Sequence, residues 1–179
     1  MPPPFTCTME EVEGTWNPKA CALIVDVQGC WLKSDFFAKE MAFYNTLTKE
    51  YWIGTFKPPM ERSYLKKKYV RHIDLKVTDQ LGLEWETGAY PYQVAFTMLN
   101  YFGKEAQLYA LGKDLCRWIQ QYTSLCVVNL EELGCPGDLH PVGTELCPYH
   151  KDSKKTCALD RAICLGLYLN TMFSLKVVE

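Results

Sequence analysis

The chain has 179 residues, 48% of them hydrophobic and 22% charged, a length and balance that suit one globular domain and exclude bulk disorder. Nineteen basic residues against 21 acidic ones leave a formal charge of −2. That excludes a strongly basic nucleic-acid binder as a global description, but not a local basic patch.

No apolar run approaches the ~18 residues of a membrane span. Met1-Pro2-Pro3-Pro4-Phe5 opens without the basic region and apolar stretch of a secretory signal. The expectation is a chain without membrane contact, cytoplasmic and/or nuclear, with reduced thiols. Its cysteines number 9, an odd count that suits buried thiols and metal ligands better than a disulfide framework.

Residues 1–18, Pro-rich and acidic, read as a loose arm ahead of a domain spanning 19–179. Cys21 to Gly29 is a continuous apolar run, the pattern of a strand buried on both faces. Phe36 to Tyr44 and Tyr51 to Phe56 follow as strands, with Trp31 to Asp35 as the tight connection and Pro58-Pro59 as the stop. Residues 60–76 form a basic amphipathic helical segment with Leu65, Val70, Ile73 and Leu75 on its apolar side. Leu81 to Trp85 is a loop. Pro91 to Phe102 is a helix ended by Gly103, Gln107 to Leu111 a strand, Lys113 to Tyr122 a helix, and Ser124 to Asn129 a strand. After an irregular stretch over 130–156, Cys157 to Phe173 is the last helix. This order predicts an α/β domain with a mixed sheet flanked by helices.

The irregular stretch contains Cys147-Pro148-Tyr149-His150 and, six residues on, Cys157. Thiolates and imidazole are zinc ligands, and an x2 spacing lets both side chains of a turn face one point. The segment has few apolar side chains to hold it down, so a metal would anchor it. The plainer alternative is a buried helix thiol and a solvated histidine. A fourth ligand would come from Glu145, Cys135, His140, Cys164 or the remote Glu40. Glu40 is a lone acid in an apolar strand, costly to bury unless paired or metal-bound, or else an outward-facing strand residue.

The strand ending Asp26-Val27-Gln28, the strand carrying Glu40, the helix opening at Asp114 and the terminal Cys157-Ala158-Leu159-Asp160-Arg161-Ala162 together resemble the exonuclease (DEDDh) branch of the ribonuclease H-like fold. More closely, Glu40 in KEMAFY, the GTFKPP strand and the C-x2-H-x6-C segment resemble the Maelstrom domain, a degenerate member of that branch. The resemblance implies a mixed five-stranded sheet and a structural Zn²⁺ held by Glu40, Cys147, His150 and Cys157. It also implies a role in RNA silencing (the piRNA type) or mobile-element control.

The ancestral hydrolysis needs four carboxylates holding two divalent ions. Mapped by the resemblance, Asp26 keeps the first acid, while Gln28 replaces the second with a neutral amide. Asp114 stands at the third, though an acid at a helix start is also simply favoured by the dipole. Arg161 reverses the sign of the last, and Thr156 falls where the catalytic histidine would be. A one-residue shift would put Asp160 at the last acid position. A cation at the last acid position would repel a divalent ion, so no two-metal cleavage is expected, and a zinc closed by four protein ligands, with no open position for water, would not restore it.

Binding of RNA or other single-stranded nucleic acid is the leading expectation. It rests on Arg62, Lys66, Lys67, Lys68, Arg71 and His72 interleaved with Tyr64 and Tyr69, and on Lys151, Lys154 and Lys155 beside Tyr149. Cations would meet phosphates and tyrosines would stack on bases, although a solvated helix face has the same pattern. The alternatives are a protein-interaction scaffold using Trp31, Trp52, Trp85 and Tyr90-Pro91-Tyr92, and a weak metal-independent endoribonuclease using His72 or His140.

Overall fold

A computed structural model describes residues 22–137, 146–150 and 155–177. The arm expected at 1–18 lies outside the described residues.

The architecture is α/β, with a mixed five-stranded sheet in the order β3-β2-β1-β4-β5. Strand β2 (Asp35–Asn45) runs antiparallel to both its neighbours, β1 (Ala22–Leu32) and β3 (Tyr51–Thr55). Strands β4 (Gln107–Ala110) and β5 (Val127–Asn129) add parallel on the other side of β1. The predicted connection at Trp31 to Asp35 is shorter than expected, because only Lys33 and Ser34 separate the strands. Trp31 pairs with Phe36 across the ladder, ring centroids 5.2 Å apart, and this aromatic contact carries the hairpin further out.

Strand β1 is central, and its alternating side chains feed two cores. Leu23, Val25 and Val27 pack under α2 (Val94–Glu105) and α3 (Lys113–Tyr122), against Leu99, Phe102, Trp118 and Ile119. Ala22 and Ile24 face α4 (Ala158–Val177), which buries Leu159, Ala162, Leu165 and Leu169. Each fully buried leucine contributes about 1.5–3 kcal/mol. Asp26, Gln28 and Glu40 belong to the α4 side by the same alternation, Gln28 directly opposite Glu40. A β-bulge follows that pair: Gly29 pairs with Ala38, so Lys39 is the extra residue. A Cβ on Gly29 would lie 2.0 Å from the Phe37 carbonyl oxygen, so the bulge needs glycine there.

The basic segment is α1 (Lys67–Ile73), continuing as a π-helical stretch over Asp74–Leu81. Its apolar face differs from expectation. Leu75 is exposed, and Ile73, Val77 and Leu81 are buried. The wider π turn resets the helical period, so the buried face is read at every fourth residue. Leu81 therefore ends a helix instead of opening a loop. Gly103 does not end α2 either: a Cβ there would meet Leu125 Cδ1 at 2.4 Å, so the glycine serves packing. Among the described residues no helix is long and apolar enough to cross a membrane.

Candidate metal centre and adjoining cavity

Cys147, His150 and Cys157 come together, with one ligand atom from each lying within 4.8 Å of the others. Two sulfurs and an imidazole at that spacing could hold a metal ion, and the donor set is compatible with zinc. His150 Nδ1 lies 2.6 Å from the Leu81 carbonyl oxygen. A carbonyl only accepts, so Nδ1 carries the proton and Nε2 is the atom available to a metal. Glu40 Oε2 lies 2.6 Å from that Nε2, and Glu40 Oε1 accepts the Ala158 N–H at 2.6 Å. Glu40 is completely buried. It is thus turned inward, placed by β2 and by the first amide of α4.

Without metal the cluster is a proton-sharing network. Burial pulls the His150 ring down, but hydrogen bonds with Cys157 and Glu40 and the Glu40 charge outweigh it, holding the ring near about 10. Hydrogen bonding with Cys157 lowers the Cys147 thiol below its ordinary value. The same bond, with burial, pushes Cys157 up. The other proposed ligands fall away or out of view. Cys135 and Cys164 are not part of the cluster, and Glu145 and His140 lie outside the described residues.

The segment also caps the π-helical stretch. Lys155 Nζ donates to the Asp79 carbonyl at 2.6 Å, Thr156 N to that of Gln80 at 2.9 Å, and His150 Nδ1 to that of Leu81. Three helix-terminal carbonyls thereby gain donors. Sequence reasoning missed these contacts, since a carbonyl carries no residue signature.

Beside this centre lies a cavity of about 530 Å³. Asp26 and Gln28 of β1, Asp114 of α3, Thr156 just ahead of α4 and Arg161 within it all line it. Asp160 does not, which removes the one-residue shift: a helix turns successive side chains by about 100°, and Arg161 takes the cavity side. Asp26 accepts from Gln28 Nε2 at 2.6 Å and faces Arg161 Nε at 3.5 Å, an ion pair without hydrogen-bond geometry. Burial raises the Asp26 carboxyl, against the opposing pull of Arg161 and Gln28. His72 and Lys76 also reach this cavity. Lys76 was missed in the sequence; its signal was the i, i+4 spacing from His72.

Lys66, Lys67, Lys68 and Arg71 are exposed, with Lys68 Nζ 4.9 Å from the Tyr69 ring centre. Arg62 is held by Asp74 at 2.5 Å, and Lys155 is spent on Asp79, so these two are less available. Lys151 and Lys154 lie outside the described residues. Of the aromatic interface candidates, Trp52 and Trp85 are buried and Tyr90 and Tyr92 pack on the core. Trp31, 42% exposed, is the substantial exception.

The sequence matches no protein-family model, and it matches no curated protein.

Proposed function

We propose that this is a zinc-stabilised, catalytically degenerate exonuclease-like domain that binds RNA or other single-stranded nucleic acid. The carrying observation is a run of basic side chains along one helical segment. The exposed Lys66, at the N-cap of α1, and Lys67, Lys68 and Arg71 within it lead along one helix to His72 and Lys76 in the cavity. On the cavity wall Arg161 faces Asp26, so a fixed cation stands among the acids that two-metal chemistry would need. It would repel a divalent ion and attract a phosphate. The strand order supports a ribonuclease H-like reading, with an antiparallel trio followed by two parallel strands. Glu40, Cys147, His150 and Cys157 would hold the zinc, which supplies cross-linking of β2, the π-helical end and α4.

The test is a titration of single-stranded RNA over a range of salt. Affinity should fall steeply as salt rises, with a log–log slope of about −0.7 per phosphate contacted. Lys67→Gln with Lys68→Gln should shallow that slope. Absence of binding at low salt would overturn the reading. Placement of His72 in the cavity favours a second, lesser reading, metal-independent RNA cleavage with His72 as general acid or base. Cleavage in chelator that survives His72→Ala would dismiss it.

A further inference from the structure

The cavity holds a set of half-buried basic side chains. His72 and Lys76 have no hydrogen bond or ion pair among the described residues, and each is partly covered. Arg161 turns its Nε toward Asp26 at 3.5 Å, outside hydrogen-bond geometry. Asp26 offsets part of the Arg161 charge through this ion pair, while its other oxygen accepts from Gln28. Asp114 and Glu131 also line the cavity, but both are exposed at its rim. A partly desolvated ammonium without a partner is costly, as at Lys76, and a fork of parallel N–H donors such as that of Arg161 fits two phosphate oxygens. Trp31 and Phe36 also line the cavity and offer aromatic surface, and Phe36 packs edge-on against Trp118 with ring centroids 5.3 Å apart. A cavity of about 530 Å³ accommodates one nucleotide.

We propose that this cavity receives a phosphomonoester-bearing end of single-stranded RNA, with the terminal phosphate on Arg161, Lys76 and His72 and the adjoining base on Trp31. A terminal monoester carries close to two negative charges at neutral pH, where an internal diester carries one. Three basic groups converging on one cavity therefore favour the end over the body of the strand. The proposal rests on the nucleic-acid reading above and gives it a preferred substrate feature. It also departs from two-metal hydrolysis, because the phosphate is held by side chains and no bond is broken.

The experiment compares one short RNA in three forms, with hydroxyl at both ends, with a 5′-phosphate, and with a 3′-phosphate, by fluorescence anisotropy at fixed salt. One phosphorylated form should bind about tenfold tighter than the hydroxyl form, and which one it is assigns the polarity. Lys76→Gln and Trp31→Ala, whose folding is checked by circular dichroism, should each erase most of that preference. Binding of the hydroxyl form should fall by a smaller factor than binding of the phosphorylated form. Adenosine monophosphate should compete where adenosine does not. Equal binding of all three forms would overturn the end pocket and leave the nucleic-acid reading standing. Failure of all three to bind would overturn both.

Discussion

His150 Nε2 stands 2.6 Å from Glu40 Oε2 although 110 residues of chain separate them. The other oxygen of the same carboxylate holds the first amide of α4. One buried side chain thereby joins the hairpin, the Cys-His turn and the last helix. Glu40→Ala would leave a buried imidazole and a helix-terminal amide without their acceptor. The expected loss is about 3–5 kcal/mol of stability, measured by denaturant unfolding. Glu40→Gln, which keeps an acceptor for Ala158, should lose less. An alanine variant as stable as the parent would contradict the role given to this carboxylate.

Elemental analysis of the purified chain should find zinc in equimolar amount, and a strong chelator should lower the melting temperature. The ligands act as a unit, so their losses are not additive. Cys147→Ser combined with Cys157→Ser should destabilise little more than Cys157→Ser alone. Melting unaffected by chelator, with no metal found, would remove zinc from the account.

Much of this arrangement was legible in the sequence where burial leaves a pattern. The uninterrupted apolar run of β1 announced a central strand, and a lone acid inside β2 announced a cost needing compensation. The cysteine and histidine spacing announced a cluster. Legibility failed where backbone groups or helical phase decide the outcome. The π-helical turns moved the buried face from Leu75 to Val77, and nothing in composition signals that reset. The Leu81 carbonyl fixes the His150 tautomer, yet any residue supplies a carbonyl. The cavity gathers His72, Lys76 and Arg161 from helices far apart in sequence, and only the sheet order brings them to one place.

Asp26 offers a pH test. Its carboxyl is raised above the ordinary 3.8, chiefly by burial. A raised folded-state value means stability that is complete below the unfolded value and is lost as pH climbs through the folded one. Asp26→Asn removes this titration. The variant should gain on the parent as pH rises from about 4 to neutrality, followed as the difference in melting temperature. A difference that stays flat or reverses with pH would contradict the assigned direction.

Lys39, the bulge residue, is buried and donates to the carbonyls of Phe56, Trp85 and Thr87 at 2.7, 2.8 and 2.6 Å. Its ammonium satisfies three acceptors and pins the segment before α2 to the sheet. Burial brings its value down to about 8, against the raising influence of Glu86, so the charge is held at some cost. Lys39→Met preserves the stem and strips all three carbonyls of their donor. A loss of about 2–4 kcal/mol is expected, with a red shift of Trp85 emission as the loop loosens. An unshifted spectrum with unchanged stability would show the contacts to be incidental.

The inactivity assigned to the cavity can be reversed by design. Divalent ions need converging carboxylates, and the cavity is lined by Asp26 and Asp114 together with the neutral Gln28 and the cationic Arg161. Gln28→Glu with Arg161→Asp would give four acids and remove the repelling cation. The double variant should bind Mn²⁺ where the parent does not, read by calorimetry and by paramagnetic broadening of residues around β1 and α3. Arg161→Asp alone should bind more weakly, since Gln28 contributes no charge. The result that would sink the argument is Mn²⁺ binding by the parent chain, because a cation facing Asp26 would then be no barrier to the metal.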